Sequence, residues 1–296
     1  MQYRILGSTS LSTSVIGIGT WQFGGEWGVN FTQAAVDAII DTAEECGINL
    51  IDTAECYGDH LSERLIGDYL LRHDRSKWII ATKFGHQFND FLNRTDAFQA
   101  ERVRDQLDAS LRALKTDYID LYQFHSGPDE AFHNDKLWTL LDKEKQAGKI
   151  RFLGCSLNKT TQIQAEQAAQ YGIEAIQVLY NRLDRSAENR HLPAAEKDNL
   201  GVLARVPLAS GLLTGKYREG HHFEANDVRS RVKREDLDRQ LEEAQQIIRE
   251  EVPEGTDPAQ WAIAWCLRRP VVTAVIPGCK DPRQVRGNAA AAELAG

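Results

Sequence analysis

Short apolar runs alternate with longer amphipathic segments along the whole chain, and they do so eight times. The runs at 14–19, 48–52, 78–83, 118–124, 150–155, 175–179, 201–206 and 271–276 read as strands. Segments at 33–46, 61–72, 100–114, 136–147, 161–170, 187–198, 235–250, 257–267 and 282–294 carry helical apolar spacing. Strands that alternate strictly with helices must return by crossovers, and that makes the sheet parallel. The 296 residues shared among eight units give 37 each, enough for strand, loop, helix and loop. The expectation is an α/β chain folded as a (β/α)8 TIM barrel. A small N-terminal β-hairpin over 3–11 precedes the first strand, and a long polar loop, 208–234, follows strand seven. With no linker or low-complexity segment, residues 1–296 read as a single domain. A dinucleotide-binding open sheet needs G-x-G-x-x-G after its first strand; Gly17 and Gly19 are present, but the third position is Gln22.

Charge and cysteine usage narrow the partners. The chain carries 35 basic and 43 acidic residues, a net charge of −8, without a basic block. A nucleic-acid or anionic-membrane partner is not expected, and no apolar run reaches the ~20 residues of a membrane span. The five cysteines are scattered without a C-x-x-C pair, which points to a reducing compartment and against a structural zinc site. No signal-like apolar segment opens the chain, so the expected location is cytoplasmic, and no metal is expected.

In a β/α barrel the chemistry sits at the C-terminal ends of the strands. Strand two ends in Asp52 and its loop carries Tyr57; strand three ends in Lys83 and strand four reaches His125. An acid, a phenol, an ammonium and an imidazole thus converge on one rim. A phenol of pKa about 10 exchanges protons poorly at neutral pH, and a neighbouring ammonium lowers that value. A buried lysine needs a counter-charge, which Asp52 supplies. A histidine orients a carbonyl by donating one hydrogen bond. The set suits protonation of a carbonyl oxygen as hydride arrives, and hydride has to come from a nicotinamide. Taken singly, each residue also has a structural reading: a helix cap, a solvated charge, a packed aromatic, a satisfied core histidine.

The segment IDTAECYG over 51–58, followed by Ser62-Glu63, resembles the D-T-A-x-x-Y-G…S-E signature of the aldo-keto reductases. ATKFG over 81–85, LYQFH over 121–125, VLYN over 178–181, PLASGLLTGK over 207–216 and IPG over 276–278 with Asn288 are similar to further family segments. The last motif resembles the bacterial branch that includes the inositol-operon and general-stress reductases. The resemblance implies a barrel that reduces an aldehyde or ketone with NADPH. Asp52, Tyr57, Lys83 and His125 become the catalytic set, Tyr57 the general acid. Ser156 and Gln177 take the family's carboxamide-binding positions, with Gly19, Thr20 and Trp21 beside them. The loop Pro207, Leu208, Ser210, Gly211, Leu213, Gly215, Lys216 wraps the pyrophosphate, and Gly278, Lys280, Gln284 and Asn288 hold the adenosine end. Trp21, Trp27, Phe84 and Phe88 supply apolar walls for a small-molecule carbonyl substrate.

Three positions depart from the family pattern. Its Ser-Asn pair reads Ser156-Leu157-Asn158. Arg205 stands where many members stack an aromatic on the nicotinamide. The usual K-S-x-x-x-x-R segment reads Gly278-Cys279 with Gln284 at the arginine position, leaving Lys280 or Arg283 for the 2′-phosphate. A redox-sensing binding module or a lyase on the same architecture are the alternatives. Reduction of a C=C bond goes with glutamate at the position of His125. Substrate, direction and oligomeric state are not written in the sequence.

Overall fold

The computed structural model describes residues 1–295. Two strands, β1 (Tyr3–Ile5) and β2 (Ser12–Ser14), pair antiparallel as the expected hairpin. Eight parallel strands follow: β3 (Ile18–Gly19), β4 (Leu50–Asp52), β5 (Ile79–Phe84), β8 (Ile119–His125), β9 (Ile150–Ser156), β10 (Ile173–Leu179), β11 (Gly201–Arg205) and β12 (Ala274–Ile276). A second hairpin, β6 (His86–Asp90) with β7 (Asn93–Asp96), is inserted after β5. Bridges Ile16↔Val275 and Gly19↔Gly278 join the first strand to the last, so the sheet closes into a barrel with helices outside. Closure needs glycine at one of these positions: a Cβ on Gly19 would lie 2.8 Å from the Ile276 carbonyl oxygen. Among the described residues no helix is long and apolar enough to cross a membrane.

Strand side chains alternate between faces with a period of two. In β5, Ile79 and Ala81 join Leu50, Leu121, Ala175, Leu203 and Ala274 in the apolar cluster inside the barrel. Ile80 and Phe84 belong instead to the larger cluster between barrel and helices. Leu6 and Leu11 of the N-terminal hairpin join the inner cluster, and Gly7 abuts the start of β11. The hairpin therefore plugs the N-terminal end. The C-terminal end, where the cavity opens, is left for chemistry.

Several boundaries differ from the sequence expectation, each for a local reason. The segment 187–198 is two helices, Ala187–Arg190 and Leu192–Asp198. Pro193 lacks the N–H and the room that a continuous helix demands. The segment 161–170 shortens to Ile163–Gln167 plus a 3-10 turn, Ala168–Tyr171. The first strand is only two residues long. The loop after β11 is less irregular than expected, holding 3-10 turns at Ala209–Thr214 and Val228–Arg231. It crosses back to the first barrel loop, where Trp27 bridges Asp227 and the Val228 N–H donates to Glu26 O at 2.9 Å. Side-chain caps begin the helices where the sequence supplies them: Asp257 ahead of Pro258–Leu267 and Asp281 ahead of Pro282–Leu294.

Candidate active site

The alternation that builds the inner core also selects what faces the open end. Above Leu50 on β4 comes Asp52; above Ala81 on β5 comes Lys83; above Leu121 on β8 come Gln123 and His125. Parallel pairing sets Asp52 beside Ala81, Lys83 beside Gln123 and His125 beside Ser156. The wall Phe84 was expected to supply is absent for the same reason. Lys83 points inward, so Phe84 points outward and packs on Tyr122 and Phe124.

Lys83 is wholly buried. Its ammonium donates to Asp52 Oδ2 at 2.8 Å, to Thr53 O at 2.7 Å and to the Tyr57 hydroxyl at 3.2 Å. Burial works against that charge, but Asp52 and Tyr57 outweigh it and hold the lysine above its ordinary range. The other oxygen of Asp52, Oδ1, accepts from Gln177 at 2.7 Å and Gln123 at 3.2 Å. Both oxygens of the buried carboxylate are thus hydrogen-bonded, as a buried charge requires. Tyr57 sits half-buried on its loop. Burial pushes its hydroxyl up to about 12 although Lys83 pulls the other way. The sequence expectation of a lowered phenol is therefore reversed in the protein alone, because desolvation outweighs the neighbouring ammonium. His125 is driven well below the usual histidine value, first by burial and then by the nearby cations, and is a neutral imidazole at pH 7.

The signature residues Ser62 and Glu63 hold the Tyr57 loop rather than facing substrate. Ser62 Oγ bonds Thr20 Oγ1 and accepts from Thr53, both at 2.9 Å. Glu63, fully buried, accepts from Thr82 at 2.6 Å and Ser110 at 3.2 Å and contacts His60. These bonds fix the start of the helix Leu61–Leu70 against β5 and the neighbouring helix Ala100–Leu114.

A cavity of about 740 Å³ opens above this set. Tyr57 and His125 form one end. Trp21 stacks near Tyr57 with ring centroids 6.0 Å apart, and Trp27 meets Trp21 edge-on at 5.2 Å. Beyond Trp27 the wall turns cationic: Lys216, Arg229, Lys280 and Arg283. Lys280 donates to Trp27 O at 2.9 Å, and Arg229 is held by Asp227 and lies over the Trp27 ring at 5.3 Å. Ser156, Gln177 and Arg205 stand between the two ends.

Of the residues expected to contact a cofactor, Gly19, Thr20, Trp21, Ser156, Gln177, Arg205, Pro207, Leu208, Ser210, Gly211, Lys216, Gly278, Lys280, Gln284 and Asn288 all lie on this cavity. Leu213 and Gly215 do not. Leu213 is buried among Leu212, Leu237 and Leu241 beneath the long loop, and Gly215, at φ +73°, terminates the 3-10 turn. Lys83 lies behind Tyr57 rather than on the wall. Phe88, on the inserted hairpin, is off it too; that hairpin contributes His86 and Arg94 instead. Sequence reading missed these two, together with Gln123, Glu26 and Arg229. A hairpin of polar residues between a strand and a helix carries no periodic signal. Gln123 alone was legible in principle, two residues before His125 on the same strand face.

The cavity fits an elongated, anionic, two-ended ligand. The Nε of Arg205 is buried without a hydrogen-bond partner among the described residues, while its Nη2 donates to Leu157 O at 3.3 Å. Val206, directly after it, holds φ +57°, a strained value for a β-branched residue, and Ala209, Ser210 and Gly211 also have positive φ. A Cβ on Gly278 would meet the Gln22 side chain at 1.6 Å, so glycine keeps this wall thin. Cations at one end suit phosphates; the Ser156 hydroxyl and Gln177 Oε1, joined only by a long 3.4 Å bond to each other, suit a carboxamide nearer Tyr57, while the Gln177 amide nitrogen is used by Asp52 and Gln123.

Comparison with known proteins agrees with this geometry. Residues 15–295 match the aldo/keto reductase family. The chain is 34% identical to an uncharacterized oxidoreductase, YrpG, of Bacillus subtilis, over 99% of this chain and 92% of that protein. It is 32% identical to the NADH-specific methylglyoxal reductase of Escherichia coli, over 98% and 93%. The solved holo form of aldo-keto reductase AKR11C1 from Bacillus halodurans superposes with a TM-score of 0.83 at 29% identity, covering 99% of this chain and 91% of that one. The chain belongs to the aldo/keto reductase family and is an NAD(P)-dependent oxidoreductase.

Proposed function

We propose that this chain, acting as one barrel domain in the cytoplasm, reduces an aldehyde or ketone to the alcohol with NADPH, and that Tyr57 is the general acid. The observation that carries the reading is the Lys83 ammonium held between Asp52 and the Tyr57 hydroxyl at the cavity floor. The bound nicotinamide supplies hydride. The chain's own residues handle the proton. The raised Tyr57 hydroxyl keeps its proton at pH 7 and offers it to the carbonyl oxygen. As that proton leaves, Lys83 stabilises the phenolate across 3.2 Å, and Asp52 keeps Lys83 aimed. Neutral His125 donates one hydrogen bond to the same oxygen and fixes the carbonyl's orientation. The reading assigns the carboxamide to the Ser156 hydroxyl and Gln177 Oε1, and the phosphates to the cationic end. NADPH consumption against a panel of aldehydes and ketones tests the reading. Absence of any carbonyl-dependent consumption overturns it.

Preference for NADPH over NADH rests on Lys280, with Arg283 beside it. One charge-assisted hydrogen bond is worth about 1.5–3 kcal/mol. At about 1.4 kcal/mol per decade, Lys280→Ala should weaken NADPH binding roughly ten- to a hundredfold while leaving NADH nearly unchanged. Dissociation constants for both cofactors decide the matter; equal losses mean that Lys280 does not read the 2′-phosphate.

Arg205 adds a redox bias. It faces the cavity, and no carboxylate pairs with it among the described residues. Beside the ring it disfavours the cationic oxidised nicotinamide. Two charges about 4 Å apart at an effective dielectric near 20 cost on the order of 4 kcal/mol, and phosphates and solvent remove much of that. The expected outcome is NADPH binding about tenfold tighter than NADP+, with the gap narrowed in Arg205→Tyr. Fluorescence titration of both redox forms against both proteins measures it. An unchanged ratio sinks the stacking role.

A further inference from the structure

Beside Tyr57 lies a second group of side chains that the proton chemistry leaves unused. Glu55 and Cys56 sit on the loop after β4, and the Nδ1 edge of His125 faces them. Cys56 Sγ is 3.7 Å from His125 Nδ1, and Glu55 Oε2 is 3.9 Å from the same nitrogen. All three ligand atoms lie within 4.8 Å of one another. Glu55 is buried, at 3% exposure. Its Oε1 accepts the His86 N–H at 2.9 Å, but its Oε2 has no hydrogen-bond partner among the described residues. A buried carboxylate oxygen without a donor is costly unless something arrives to use it.

We propose that Glu55, Cys56 and His125 form a three-ligand site for a thiophilic divalent cation, with zinc as the best fit, and that its occupancy inhibits the enzyme. Sulfur, imidazole nitrogen and carboxylate oxygen are zinc's preferred donors, at about 2.3, 2.0 and 2.0–2.2 Å. Tetrahedral bonds of those lengths set ligand atoms roughly 3.3–3.6 Å apart. The two separations from His125 Nδ1, 3.7 and 3.9 Å, need only a small contraction. Of the neighbouring cations, Lys83 is paired with Asp52 at 2.8 Å and Arg94 with Glu26 at 2.5 Å, and Arg205 is the one left without a carboxylate among the described residues. An incoming cation therefore meets the free carboxylate oxygen and the thiol. Binding exchanges the Cys56 S–H bond for a sulfur–zinc bond and releases the proton to solvent, with no change of oxidation state. Entry is through the cavity, because Cys56 and His125 both line it.

The site shares His125 with the proposed function, which uses that residue to orient the carbonyl oxygen. The inhibitory consequence rests on that reading; the binding site does not. A metal bound at Nδ1 holds the His125 ring toward Glu55 and Cys56 and away from the carbonyl oxygen it would otherwise orient. Inhibition is thus expected to compete with the carbonyl substrate and to leave NADPH binding unchanged. The residue spacing does not announce the site, since Glu55 and Cys56 are adjacent and His125 is 69 residues away.

The first test needs no variant and no turnover. Cobalt(II) added to the metal-free protein should give one thiolate-to-cobalt absorption band in the near ultraviolet per chain, displaced by zinc, with at least one proton released. Absence of that band overturns the site. Second, calorimetry with zinc should show Cys56→Ala binding weakened at least about a hundredfold, because even outer-shell partners of a metal are worth 10–100-fold. Glu55→Gln should lose a smaller factor, and Cys46→Ala, on the helix flank outside the cavity, should bind as wild type. Zinc binding equally tight in Cys56→Ala overturns the assignment. Third, zinc should raise the KM for a carbonyl substrate. A cobalt band with an unmoved KM overturns the inhibition and leaves the site standing. A protein without carbonyl turnover fails the reductase reading, while the cobalt band still decides the metal site.

Discussion

Tyr57→Phe should fold and bind NADPH like the wild type and reduce carbonyls slower by roughly 10²–10⁴-fold, the usual worth of a positioned general acid. The phenyl ring keeps the stack with Trp21 and the edge contact with His125, whose centroids lie 6.0 and 6.2 Å from that of Tyr57. Only the hydroxyl is lost. Lys83 loses one of three acceptors but keeps Asp52 and Thr53 O. The fold is therefore spared, and the loss should appear in kcat rather than in NADPH affinity. Single-turnover reduction of an aldehyde at saturating NADPH isolates the step. A variant that works at near wild-type rate excludes Tyr57 as proton donor.

Asp52→Ala is expected to damage stability as well as turnover. It leaves the fully buried Lys83 ammonium without its carboxylate and removes the acceptor of Gln123 and Gln177. Breaking a buried pair from one side costs about 3–5 kcal/mol, mainly because the remaining charge is stranded out of water. The double variant Asp52→Ala/Lys83→Met should recover much of that stability, since no charge remains to be compensated, while staying inactive. Urea denaturation of the wild type, the single and the double variants reads both statements. A single-variant loss under about 1 kcal/mol, the value of an exposed pair, contradicts the picture of a desolvated pair. A double variant no more stable than the single contradicts the stranded-charge explanation.

Much of the molecule is written in local pattern. Eight apolar runs alternating with amphipathic segments dictate a parallel sheet, because each return crossover must carry a helix across one face. Period-two alternation then decides that Asp52, Lys83 and His125 share the barrel interior with Leu50, Ala81 and Leu121. Thus the reactive rim could be read from strand ends alone. The same rule, applied one residue further, would have turned Phe84 away from the cavity. Asp257 and Asp281, each followed by proline, announce their helices because capping is a matter of the nearest few residues.

What the sequence did not disclose depends on distances between segments far apart in the chain. The hairpin His86–Asp96 has weak strand propensity of its own, and its place is held by long-range bonds, Arg94 to Glu26 and the His86 N–H to Glu55. The raised Tyr57 and lowered His125 are products of desolvation, and no residue type encodes how deeply it will be buried. Leu213 shares a motif with cavity residues yet faces the helices, because its own turn rotates it toward Leu237 and Leu241. Residue types and their spacing determined the barrel and the chemistry available at its mouth. Burial and side-chain direction are collective properties of the packed chain, and only the tertiary structure decided how each group is charged and what it can touch.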